Sequence, residues 1–228
     1  MLIWLVLIPL IAAALIGLCK APARPTALLS ASLTLALGIW ALVSFDGCSS
    51  CWSRFEGMDL QLTLAPALSK VMLLLTILVT FATVLGTNPP QGGEASWYNS
   101  ALLISAGATG AFLSDNIISF FAFHELALIP TFVMIGLYGR GDRRTTAWRA
   151  TLYLGLASMV LLAALLMIGT QAGFTFSGLK DFMASGRELA HAELIGALLI
   201  AGFGTLISLF PFHSWAAPAY ASAPAPVA

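Results

Sequence analysis

The chain has 228 residues, 59% hydrophobic and only 9% charged, with ten acidic side chains balancing ten basic ones. Soluble domains are about 25% charged, so a mean hydropathy of +0.94 places this chain in a bilayer. A formal net charge of zero excludes the basic footprint of a nucleic-acid binder.

A window of about 19 residues finds seven apolar stretches: 2–18, 26–45, 71–86, 97–113, 116–138, 147–169 and 194–212. They are uninterrupted rather than alternating, which predicts helices and not barrel strands. The first stretch has no charged leader and no small-residue cleavage motif before Lys20, and reads as a retained span. The fold expected is all-α and polytopic, one transmembrane domain over 1–228 with about seven spans.

Orientation follows from the loops. Those after spans one, three and five hold Lys20, Arg24, Arg140, Arg143, Arg144 and Arg149, whereas those after spans two, four and six hold Arg54, Lys70, Lys180 and Arg187. The compact cluster GRGDRRTTAWR after span five carries the difference, so the first set is expected inside and the amino terminus outside.

The loop after span two contains Cys48-Ser-Ser-Cys51. A CxxC reads as a redox pair or half of a metal site, but no second pair is present to complete a zinc site; a local disulfide is a further reading, and two ordinary loop thiols the plainer one. Span four, SALLISAGATGAFL, places Ser105, Ala106, Gly107, Ala108 and Gly110 together, which predicts close packing deep in the bundle. Trp40, Trp52, Trp97 and Trp148 fall near span ends, as in an aromatic belt. The polar insert 173–192, with Phe174, Phe176, Leu179, Phe182 and Leu189, reads as a piece lying along the interface. No Gly-rich phosphate loop, HExxH or Ser/His/Asp set supports soluble catalysis.

Span five, NIISFFAFHELALIPTFVMIGLY, holds His124 and Glu125 as its two ionisable groups near neutral pH. At about 1.5 Å per residue Glu125 lies about 14 Å into a hydrocarbon core about 30 Å thick. A charged acid at that depth costs about 2.5–3.5 kcal/mol on insertion scales, and such acids mark proton or ion paths. The plainer reading is a protonated Glu hydrogen-bonded between helices.

The seventh span runs into SLFPFHSWAAPAYASAPAPVA, where Pro211 predicts a break. Broken helices at membrane depth often line ion sites. His213 sits at this break, and imidazole both donates and accepts protons near neutral pH. Its plainer reading is a histidine satisfied by backbone.

FFAFHELALIPTFVMIGLYG, the following GRGDRRTTAWRATLYLGLASMVLLAALL, and PFHSW with YASAPAPV resemble the antiporter-like membrane subunits of respiratory complex I, most closely subunit M (chain 4). PFHSW and APAPV are also similar to subunit N. The resemblance implies a proton-translocating membrane-arm subunit of an NADH:quinone oxidoreductase, in a bacterial-type inner membrane, with 115–228 carrying the channel-like helices. It implies partner subunits that hold NADH, flavin, iron–sulfur clusters and quinone, with no redox centre in this chain. It also implies that Glu125 works with a lysine on the broken helix. An opposite charge within about 4–6 Å holds an acid ionised, and its withdrawal loads a proton.

At that lysine position, counted back without gaps from Pro211, stands Leu206, and Ser208 stands where the family has proline. Ala216-Ala217-Pro218-Ala219 replaces the family's Leu-Pro-Asp-Ala. The substitute partners for Glu125 are His124, His213 or a lysine beyond residue 228. His124 is a poor one by helix geometry, since adjacent residues point about 100° apart. Family members have about fourteen spans, so this chain corresponds to the first half. Three readings stay open: a proton-conducting subunit, a non-conducting scaffold, and a subunit of a multisubunit cation/proton antiporter or membrane-bound hydrogenase.

Overall fold

A computed structural model describes residues 2–44, 49–55, 58–64, 66–90 and 92–224. The order is α1 Ile3–Gly17, α2 Ala23–Ser44, β1 Ser49–Phe55, β2 Met58–Thr63, α3 Ala67–Gly86, α4 Glu94–Leu113, α5 Ile117–Tyr138, α6 Arg143–Ala172, α7 Phe176–Ala184, α8 Ala192–Leu206 and α9 Ala216–Ser222. All seven expected spans are helices. By length and composition alone, α2, α3, α5 and α6 are able to cross a membrane, while α1 and α8 are shorter apolar helices. α4 is 20 residues long, but its Gly, Ser and Thr content dilutes its hydropathy.

Local chemistry explains the boundaries. Asn116 caps α5, its Oδ1 accepting from the backbone N–H of Ile118 at 2.8 Å and of Ser119 at 3.2 Å. Asp142 caps α6 by accepting from the N–H of Thr145 at 3.3 Å. α6 therefore starts at Arg143, four residues before the apolar window, because arginine is a good helix former that hydropathy ignores. Thr175 caps α7, which occupies the polar insert.

The expected all-helical reading missed one element. β1 and β2 form an antiparallel hairpin, with Ser49 opposite Thr63 and Phe55 opposite Met58. Cys51 lies in β1, and Cys48 lies outside the described residues. The hairpin meets the α4–α5 turn, where Asp115 N–H donates to Gln61 O at 2.9 Å.

The chain divides into two compact units, Met1–Thr131 and Phe132–Ala228. In the first, Leu2, Leu5, Val6, Ala41, Leu62, Leu64, Leu73, Ile77, Ala106 and Leu113 form one buried core. α4 packs deep, as its small residues predict. A Cβ at Gly107 would lie 2.7 Å from both Ala127 N and Phe123 O, and one at Gly110 would enter the Phe123 ring. Glycine at these positions lets α4 and α5 meet backbone to side chain. Trp97, expected in an aromatic belt, is instead buried, whereas Trp40 and Trp148 are exposed. Trp97 lies one turn into α4, the helix most enclosed in this unit, so its position near a span end did not bring it to the surface.

In the second unit α8 packs on α6, and Ile135, Ala147, Ala150, Trp215, Ala216, Ala219 and Ala223 form its core. The break in α8 comes at Leu206, five residues before Pro211. A proline in a helix clashes with the carbonyl four residues earlier. For Pro211 that carbonyl belongs to Ile207, the residue that closes α8. Ser208 then adopts a left-handed φ of 61°, with Ser208 N–H donating to Thr205 O at 3.1 Å and Leu209 N–H to Gly204 O at 2.6 Å. This is a Schellman termination, which glycine fills best. Ser208→Gly is expected to raise stability by about 0.5–1 kcal/mol by removing left-handed strain, read as a higher unfolding midpoint in detergent.

Candidate functional site: a carboxylate inside the fifth helix

Glu125 is the ninth residue of α5. Phe123 and Ala127 meet Gly107 of α4, so Glu125, about 200° of helix rotation from each, points to the other side of α5. Its Oε1 is fully buried and has no hydrogen-bond partner among the described residues. The Nδ1 of His124 is buried and unbonded in the same sense.

The two atoms lie 3.4 Å apart, within ion-pair reach but beyond the usual 2.7–3.2 Å of a formed hydrogen bond. Helix geometry alone marks His124 as a poor partner for Glu125, yet the two side chains come within this distance. The Cβ vectors diverge, but both side chains are long enough to bend sideways until their tips approach. The imidazole is held by the aromatic run before it, with its centroid 6.3 Å from the Phe120 ring and 6.4 Å from that of Phe121. Pro130, inside the same helix, has no N–H to give the Leu126 carbonyl, so α5 lacks one helical bond beside Glu125. A small side-chain movement would bring the pair to hydrogen-bond distance.

His213 belongs to the second unit and lies in the turn between α8 and α9, where it is exposed. Its ring stacks on Phe210 with centroids 5.7 Å apart, and its carbonyl accepts from Ala216 N–H at 3.1 Å. Leu206 ends α8 and brings no charge there.

The residue that holds this broken helix together is Trp215, a part that the sequence pattern does not reveal. Its buried Nε1–H donates at 2.9 Å to Thr205 O, a carbonyl in the last turn of α8. The motif PFHSW thus delivers an indole donor back to the last turn of α8. Trp215→Phe keeps the apolar ring but removes one of the two donors to that carbonyl, Ser208 N–H remaining, and is expected to cost about 0.5–1.5 kcal/mol, measured as a lower unfolding midpoint. The α5–α6 turn is tied to α9 in the same unit. Arg140 N–H donates to Ser222 O at 2.7 Å, and the Ser222 hydroxyl donates to Arg140 O at 2.8 Å.

Residues 114–228, half of the chain, match the family model described as NADH:quinone oxidoreductase/Mrp antiporter, TM. The chain belongs to this family. The match takes in α5 with Glu125 and the broken α8–α9 segment with His213. Among curated relatives, F(420)H(2) dehydrogenase subunit M of Methanosarcina mazei is 24% identical over 96% of this chain and 48% of its own length. An NAD(P)H-quinone oxidoreductase chain 4 of Microcystis aeruginosa is 31% identical over 70% of this chain and 29% of its own length. A chain of respiratory complex I from Thermus thermophilus superposes with a TM-score of 0.84 at 25% identity, over 98% of this chain and 47% of that one. A chain of the Mrp complex from Dietzia sp. superposes at 0.81 with 22% identity, over 99% and 44%, a likeness of fold. The chain thus spans half or less of the relatives it matches. Its fold is that of an antiporter-like membrane subunit, as the sequence resemblance implied.

Proposed function

We propose that the chain works as a proton-translocating membrane-arm subunit of an NADH:quinone oxidoreductase, in which Glu125 takes up and releases the proton. The observation that carries this reading is the buried Glu125 Oε1, without a hydrogen bond and 3.4 Å from His124 Nδ1. A permanently neutral acid used as packing glue satisfies its oxygens. Here both atoms are left to exchange a proton with each other or with a group that arrives during turnover.

In this reading a protonated His124 imidazole faces the Glu125 carboxylate across 3.4 Å. When His124 passes that proton across, both groups become neutral, which suits the apolar surroundings. His213, exposed at the α8 break, serves as a separate transfer point on the route. The cluster GRGDRRTTAWR favours an inner-membrane topology with the amino terminus outside. NADH, flavin, iron–sulfur clusters and quinone belong in this reading to partner subunits of the membrane-bound complex.

The likeness to an Mrp chain makes cation/proton exchange the second reading. Purification of the native complex through a tag on this chain, followed by reconstitution into vesicles, separates the two. NADH oxidation with a quinone acceptor, accompanied by uncoupler-sensitive and sodium-independent proton uptake, is expected. Sodium-driven proton exchange with no NADH oxidation would remove the first reading.

A further inference from the structure

A cleft of about 670 Å³ lies at one end of the first unit, between the close of α1 and the start of α4. It is lined by Gly17, Lys20, Gly92, Glu94, Ser96 and Asn99, with Ile16 and alanines completing the wall. Neither His124 nor Glu125 lines it, so the cleft is separate from the proton site and its chemistry is independent of the proposed function.

Three observations bear on its occupant. First, a base and an acid share the lining: Lys20, held by the turn after α1 with a φ of 52°, and Glu94, the first residue of α4. Both are exposed, hence free to reach a ligand. Second, Ser96 and Asn99 add uncharged polar groups to the lining. Third, the outer surface of α1 is apolar, with Ile11 and Leu15 of the helix and Leu18 just after it exposed. A bundle end with an apolar flank sits where acyl chains meet headgroups.

An occupant that matches this lining presents an anion to Lys20, a cation to Glu94 and an apolar tail to the flank of α1. The volume is within the range of about 300–1,000 Å³ typical of small-molecule sites. We propose that this cleft binds the headgroup of an aminophospholipid of the phosphatidylethanolamine class. Its phosphate meets the Lys20 ammonium, and its ammonium meets the Glu94 carboxylate. An anionic lipid such as phosphatidylglycerol satisfies Lys20 alone and meets repulsion from Glu94.

Both charged residues are exposed, so neutralising them leaves the fold intact, which an unchanged unfolding midpoint verifies. The full chain is purified in mild detergent, and native mass spectrometry counts phosphatidylethanolamine and phosphatidylglycerol retained from an equimolar mixture. The wild type is expected to favour phosphatidylethanolamine by about tenfold, the worth of one charge-assisted hydrogen bond. Glu94→Gln is expected to abolish that preference, and Lys20→Gln to weaken retention of both lipids. Equal retention of the two lipids by the wild type would overturn the proposal, as would a preference that survives Glu94→Gln.

Discussion

Glu125→Gln is expected to lower proton uptake per NADH oxidised while leaving the amount of assembled complex unchanged. Glutamine has the shape of glutamate and keeps an acceptor oxygen, but it cannot take up a proton. Removal of a positioned proton-transfer group typically costs about 10²–10⁴ in rate, so the step through α5 effectively stops. The fold does not suffer, because a neutral amide at that depth avoids the penalty of about 2.5–3.5 kcal/mol attached to a central charge. Glu125→Asp keeps the carboxyl but withdraws it by one methylene from His124, and an intermediate flux is expected. A non-conducting scaffold, the reading that Leu206 motivates, requires wild-type proton uptake in Glu125→Gln. Proton flux in vesicles, normalised to assembled complex, decides between them.

Gly107→Val and Gly110→Val are expected to have the largest effects on folding. At Gly107 even a Cβ would lie 2.7 Å from backbone atoms of α5, and backbone cannot swing aside as a side chain does. The added branch pushes α4 from α5 over the stretch that holds His124 and Glu125. Overpacking of this kind costs about 1–3 kcal/mol and more where nothing can yield, and the outcome expected is loss of the chain from the membrane fraction. Gly155→Ala is the control. It also adds a Cβ to a helical glycine, but nothing lies within 4 Å, so better helix propensity is expected to leave it as stable as the wild type or more so. Equal stability of Gly107→Val and the wild type would contradict the packing described for α4.

Much of this architecture is legible in the chain because lipid simplifies the problem. Every backbone group in hydrocarbon must be satisfied within its own helix, so long apolar runs such as 71–86 and 116–138 leave few alternatives. The small residues of α4 likewise announce close approach. What escaped depends on partners that hydropathy does not register. The β1–β2 hairpin is held by cross-strand backbone bonds in a loop that carries Cys, Ser, Arg and Asp. The end of α8 is set by the reach of Pro211 back to Ile207 and by the indole of Trp215, so the break precedes the residue that causes it. Trp97 sits at a span end on the buried face of α4, and position along the chain did not distinguish that from a belt. At the site, Glu125 was visible as a carboxylate out of place, but its proximity to His124 was not. Helical spacing gives the direction of Cβ and not the course of a long side chain beyond it.

The central claim is that the Glu125 carboxyl changes its protonation as the complex works. Difference infrared spectroscopy on the resting and NADH-reduced complex, comparing the wild type with Glu125→Gln, reads that change directly. A protonated-carboxyl stretching band that appears or disappears on reduction in the wild type, and is missing from Glu125→Gln, is the expected result. Identical carboxyl difference bands in the two proteins would contradict it.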